Sequence, residues 1–338
     1  MIRKSWIVFV YAIAISIESI IIEYLTTSYV HFSPIVLSAI SITSAGIMLL
    51  LAAAFIFKKK EEISILFTQS SRTLVLASLS LSLGIFTWYD SINKIGASKE
   101  VLIAGPLEIV IIVILARVFL NERLNRFHVI GIIMALIGFI MAVASGANIS
   151  VVSNNIDTII AISASSLSSI ISFGDIEAIF SAFGFAIGVL FLSKLVLKHS
   201  SIEAAGASMF TSGLILVGFM TFGLFYGSFN VGLSSDEESL LRPPLITIII
   251  SFLFSLIPFI GSLSYSTGLR RIGASLTATI GSSSILITVI IQIMLKELGF
   301  TSRLPEHILL AILGGILGFL GIYIIHMPDF LIPLTKRT

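Results

Sequence analysis

Glu18 and Glu108 each interrupt a long apolar stretch of this chain. A carboxylate among apolar neighbours is costly to hold unless it meets a cation, a hydrogen-bond donor or a proton. Both are therefore candidates for binding a cationic or amine-bearing ligand or for carrying a proton. Gly105 and Pro106 stand just before Glu108. Pro106 has no N–H to offer the carbonyl of Leu102, so the pair predicts a helix break with free backbone polar groups beside the acid. Ser282, Ser283 and Ser284 supply hydroxyls at a matching depth in the second half of the chain, and Trp88 and Tyr265 supply aromatic faces.

Each of these residues also has a plainer reading. Glu108 as a protonated carboxyl bonded to a neighbouring helix would serve packing alone, and Glu18 would reach a water-filled vestibule. Trp88, Tyr89 and Tyr265 near helix ends fit aromatic belts at the membrane surface, with Trp88 and Tyr265 as matching gates the rival. Glu23 is expected to be solvated near the outer interface. Glu100, in a first helical turn beside Lys99, is expected to cap its helix, a gate lining being the alternative. Glu122 and Glu297 read as boundary caps or loop ion pairs.

The elements that position these side chains are membrane spans. Hydrophobic residues make up 57% of the 338 and charged residues 11%, with a mean hydropathy of +1.10. Soluble domains are about 45–50% apolar and about 25% charged. The chain has no cysteine, which removes disulfides, thiolate chemistry and cysteine metal sites. Its histidines all fall near span boundaries, so no metal and no cofactor is expected, and a net charge of +2 without a basic block argues against nucleic acid. Apolar runs of spanning length begin near Trp6, Pro34, Thr73, Ser98, Phe127, Ile176, Ala204, Leu245, Ala274 and Ile308. The serine-rich run Ile156 to Ser172 is a weak eleventh candidate and better suits a surface or re-entrant segment.

Ten spans with cytoplasmic termini put most of the 20 Lys and Arg residues inside, among them Lys58, Lys59, Lys60, Arg270 and Arg271. An eleventh span would even out that distribution. Ile92-Asn93-Lys94-Ile95-Gly96-Ala97-Ser98 recurs as Leu269-Arg270-Arg271-Ile272-Gly273-Ala274-Ser275. Five helices per copy is an odd number, so the copies must enter the membrane in opposite senses. The sequence thus reads as an all-α polytopic membrane protein of about ten transmembrane helices. They form two inverted five-helix repeats, 1–145 and 176–338, joined by an outer serine-rich linker, 146–175. Inverted repeats around a midplane site are a plan for alternating access, in which one half rocks against the other.

Lys94-Ile95-Gly96-Ala97-Ser98, Pro106, Leu120-Asn121-Glu122-Arg123-Leu124 and Gly131 resemble the drug/metabolite transporter superfamily, and within it the ten-helix EamA-type carriers. The second half is similar through Arg271-Ile272-Gly273-Ala274-Ser275 and Lys296-Glu297, with Ser283 where the first has Pro106. The resemblance implies a carrier in the cytoplasmic membrane, often an exporter of amino acids or other metabolites, with cytoplasmic termini. The expected function is secondary transport of a small metabolite such as an amino acid or amine, with protons as the candidate coupling ion. The lipid bilayer is its surroundings, and the chain acts as a monomer or homodimer. No Walker motif couples ATP. A membrane-embedded enzyme acting on lipid-linked substrate lacks clustered catalytic groups, so no enzyme is expected. A receptor or scaffold would leave the repeats unexplained.

Overall fold

The computed structural model describes residues 2–27, 32–120, 126–146, 171–230, 245–300 and 302–331, all in helices and the short turns between them. Most of the linker and Glu122 lie outside them. The helices are α1 (Ile2–Thr27), α2 (Pro34–Leu51, continued by a π-helical turn, Ala52–Ile56), α3 (Lys60–Gln69), α4 (Ser71–Ile95) and α5 (Ala97–Leu120). There follow α6 (Arg126–Ala144), α7 (Phe173–Lys198), α8 (Ser201–Asn230), α9 (Leu245–Phe254), α10 (Leu256–Ile272), α11 (Ala274–Gly281), α12 (Ser283–Glu297) and α13 (Ile308–Leu331).

Among the described residues eight segments are long and apolar enough to cross a membrane: those of α1, α2, α4, α7 and α8, the pairs α9–α10 and α11–α12, and α13. The two other expected spans coincide with α5, which carries Lys99, Glu100 and Glu108, and with α6, whose apolar part, Val129–Ala144, is shorter. Helix α3 was not anticipated. Its only fully buried residue is Leu66, which anchors a short helix with two acids in its first turn.

The helices are built inside out relative to a soluble protein. On α1, Ser16, Glu18, Ser19, Glu23 and Thr26 are buried, while Trp6, Phe9, Ile13, Ile17 and Tyr24, at helical spacing, are exposed. Helix α9 likewise turns Thr247 and Ser251 inward and Leu245, Ile248, Ile249 and Phe252 outward. Lipid is as apolar as leucine, so polar side chains and small residues hold such helices together. Helix α4 packs along α7, α6 along α13, α2 along α8 and α1 along α10.

The contacts fix the direction of each pair. Gly84 meets Gly184 while Ser91 donates to the carbonyl of Gly174, so α4 and α7 are antiparallel. Gly131 meets Gly321 while Gly138 meets Gly314, so α6 and α13 are antiparallel too. Gly268 lies on Val8 and Gly261 on Ala14, which sets α10 against α1 in the same sense.

The expected helix break is displaced. Helix α5 runs unbroken through Gly105 and Pro106. Intact turns on either side carry the proline, whose ring packs on Gly318 of α13 while Gly105 receives Ile285 of α12. The interruption falls instead in the opposite half, where α11 ends at Gly281 and α12 begins at Ser283.

Candidate functional site

A cavity of about 180 Å³ opens where α1, α4, α5, α7, α10 and the α11–α12 junction converge. Among the described residues three carboxylates line it, those of Glu18, Glu100 and Glu108, and no Lys, Arg or His does. Each helix contributes one stripe. Tyr11, Ile15, Glu18 and Ser19 come from α1; Glu100, Val101, Ala104, Gly105, Glu108 and Ile109 come from α5. These follow the spacing that places residues on one helical face.

Two of the acids are held and one is not. Glu18 Oε1 accepts from the Tyr89 hydroxyl at 3.0 Å. Glu100 accepts from Trp88 Nε1 at 3.1 Å and from the Ser181 hydroxyl at 3.2 Å. Trp88 and Tyr89 are neighbours on α4 in an edge-on arrangement, 5.2 Å between ring centroids, so one turn of helix donates to both acids. Glu108 makes no hydrogen bond among the described residues and faces the cavity. The sequence placed Glu18 and Glu108 at similar depth, and the structure brings them to one cavity without a hydrogen bond between them.

Aromatic rings close the walls. Tyr11 and Tyr265 stand 4.5 Å apart between centroids, tilted by 48°. Trp88 meets Phe185 edge-on at 5.8 Å. The Tyr265 hydroxyl is buried with no hydrogen-bond partner among the described residues. Of the three serines, Ser282 and Ser284 line the cavity and Ser283 does not, its hydroxyl returning to the carbonyl of Ile280. The Ser16 hydroxyl donates to the carbonyl of Ser284 and ties α1 to α12.

Several expectations are corrected here. Trp88, Tyr89 and Tyr265 are not surface belts: their exposures are 6%, 0% and 8%, because each ring spans the interior rather than the lipid boundary. Glu100 stands in the first turn of α5 as expected, and it also takes the alternative place on the cavity, where Trp88 and Ser181 donate to it. Glu23 is not solvated; at 3% exposure it accepts backbone N–H groups from two other segments. Beside it Lys99 pairs with Asp175 at 2.6 Å, both buried. The place of Glu100 was legible: it precedes Glu108 by two helical turns and so shares its face. Tyr11 carried a similar signal, two turns before Glu18.

The arrangement suits a ligand that brings positive charge to buried acids and an apolar or aromatic body to ringed walls. Comparison with known proteins gives one family match: residues 4–144 match the model of the EamA-like transporter family. A search of curated proteins finds no match. A solved protein crystal structure, 14% identical, superposes with a TM-score of 0.59 over 96% of this chain and 97% of its own, a likeness of fold.

Proposed function

We propose, from the match of residues 4–144 to the model of the EamA-like transporter family, that the chain is a secondary carrier of small amine-bearing or cationic metabolites. The observation that carries this reading is a cavity with three carboxylates and no cationic side chain. An anionic substrate would meet unopposed negative charge there, whereas an ammonium group would find a counter-ion. Glu108, the acid without a partner, binds the amine. When no substrate is bound a proton takes its place, which couples transport to the proton gradient and favours export from the cytoplasm.

The same reading gives the chain ten spans in two inverted halves, 1–145 and 176–338, with both termini cytoplasmic. The pairing of helices supports it. In ten alternating spans the third and sixth must be antiparallel, as α4 and α7 are, and the fifth and tenth must be antiparallel, as α6 and α13 are. One further span between α6 and α7 would make both pairs parallel. Gly96 and Gly273, at matching places of the repeated motif, also share one local geometry. Their φ angles are +82° and +85°, and their N–H groups return to Ile92 and Leu269. Matching halves that enclose one cavity are the parts an alternating-access carrier requires.

The test is flux in proteoliposomes for a panel of amines, amino acids and organic anions, with and without an imposed pH gradient. Amine flux accelerated by the gradient is expected. Flux confined to organic anions, or none for any compound, would overturn the reading. A second prediction concerns Trp88→Phe, which keeps an aromatic ring, smaller than the indole, and removes the donor to Glu100. Hydrogen bonds to charged groups contribute about 1.5–3 kcal/mol, so thermal stability should fall and apparent substrate affinity should weaken roughly tenfold or more as Glu100 loses its hold. Unaltered KM would show that Trp88 only packs.

A further inference from the structure

Glu23 lies more than one helical turn beyond Glu18 on α1, and its carboxylate gathers three separate segments. Oε2 accepts from the backbone N–H of Ala97 at 2.7 Å and from Gln292 Nε2 at 2.5 Å. Oε1 accepts from the backbone N–H of Arg303 at 2.7 Å. The Oε1 of Gln292 accepts in turn from the backbone N–H of Ser98 at 3.1 Å and from its hydroxyl. One buried acid therefore ties α1, the α4–α5 junction, α12 and the segment leading into α13. The Arg303 guanidinium adds a bond to the carbonyl of Asn93 at 2.7 Å.

Among the described residues the opposite end of the bundle lacks this closure. Gly96 and Gly273 have the same backbone conformation, yet a Cβ on Gly96 would lie 2.7 Å from the carbonyl oxygen of Arg303, while one on Gly273 would have nothing within 4 Å. Gly273 follows α10, whose C-terminal part lies against Val8 near the start of α1, so the two glycines mark opposite ends. Arg270 and Arg271 beside Gly273 are exposed. Equivalent junctions with equal backbones differ in whether anything is packed on them.

We infer that the Glu23–Gln292–Arg303 network is a latch that holds the Gly96 end of the cavity shut while the Gly273 end stands open, and that its release is the step to the opposite-facing state. The latch rests on the carrier reading for its purpose, but not for its detection. The bonds are numerous, those of Glu23 and Gln292 to α5 and to each other are buried, and they join elements from both halves. The Gly96 end therefore opens only when all of them are given up together, which makes the change a switch between two states rather than a gradual loosening.

The absence of cysteine permits a direct test. Ser262 lines the cavity from α10, so Ser262→Cys places a single thiol there. A membrane-impermeant maleimide is applied to either side of oriented vesicles holding the full chain. Labelling of Ser262→Cys is expected from the Gly273 side, and addition of Glu23→Ala should speed labelling from the Gly96 side by at least about tenfold. Gln292→Leu should act in the same direction and serves if Glu23→Ala fails to fold. Unchanged sidedness in a variant that folds, or rapid labelling from the Gly96 side before any second substitution, overturns the latch. The readout needs no substrate. Amine flux without a change of sidedness would sink the latch alone, and a change of sidedness without amine flux would sink the substrate assignment alone.

Discussion

Glu108→Gln is expected to lower amine flux at least about 30-fold. Removing one partner of a buried charge pair costs about 2–5 kcal/mol, and each ~1.4 kcal/mol is a factor of ten. Among the three acids of the cavity Glu108 stands to lose most, because Glu18 is engaged by Tyr89 and Glu100 by Trp88 and Ser181. Glutamine keeps the shape of the side chain and removes both its charge and its capacity to exchange a proton. Substrate binding and proton coupling should fail together, and an imposed pH gradient should no longer accelerate flux. The fold should not suffer. A neutral amide is cheaper to bury than a carboxylate, so thermal stability in detergent should equal or exceed that of the native chain. Glu18→Gln offers the contrast: the amide oxygen still accepts from Tyr89, and the loss of flux should be smaller. Proteoliposome kinetics beside a melting curve separate these outcomes. Native flux from Glu108→Gln with an intact response to pH would assign the residue to packing and overturn its role as the amine ligand.

Reading the sequence located the acids better than it described their surroundings. Glu108 and Glu18 stood out because charge inside an apolar run is conspicuous, and the structure brings both to one cavity. Membrane character was legible from composition, and the repeated motif marks two junctions of equal backbone geometry. What failed was inference from distance to a span's end. Trp88, Tyr89 and Glu23 lie near such ends, which predicts that they face the interface, yet all are buried. Position along a helix gives depth; facing depends on the helices around it, and here α7, α12 and the segment before α13 cover that end. Helical periodicity was the better guide, since Glu100 and Glu108 share a face by spacing alone. The break foreseen at Pro106 shows the same limit. Proline removes one hydrogen bond, but Gly318 and Ile285 pack around that turn, and α5 continues.

Gly138→Leu should destabilise the chain by about 1–3 kcal/mol or more, the usual range for overpacking, and should reduce flux beyond what the lost folded protein explains. A Cβ at Gly138 would lie 2.5 Å from the carbonyl oxygen of Gly314, 2.6 Å from the nitrogen of Gly318 and 2.9 Å from its Cα. All three are backbone atoms, so no side chain can swing aside and α6 and α13 must separate. In lipid that separation is not repaired by any hydrophobic gain, because close van der Waals contact is itself what holds the helices together. The displacement also reaches the cavity. Gly318 carries the ring of Pro106, and Gly315 carries Leu102, both on α5 within two turns of Glu108. Moving α13 therefore moves Glu108, the acid proposed to bind the amine. Gly218→Leu on α8 supplies the control, since nothing lies within 4 Å of a Cβ there. Replacing glycine by leucine inside a helix gains up to about 1 kcal/mol of intrinsic propensity, so the α8 variant should be unchanged or slightly more stable. Equal losses from both variants would show that the bilayer-facing surface, rather than the α6–α13 contact, is what the substitution disturbs.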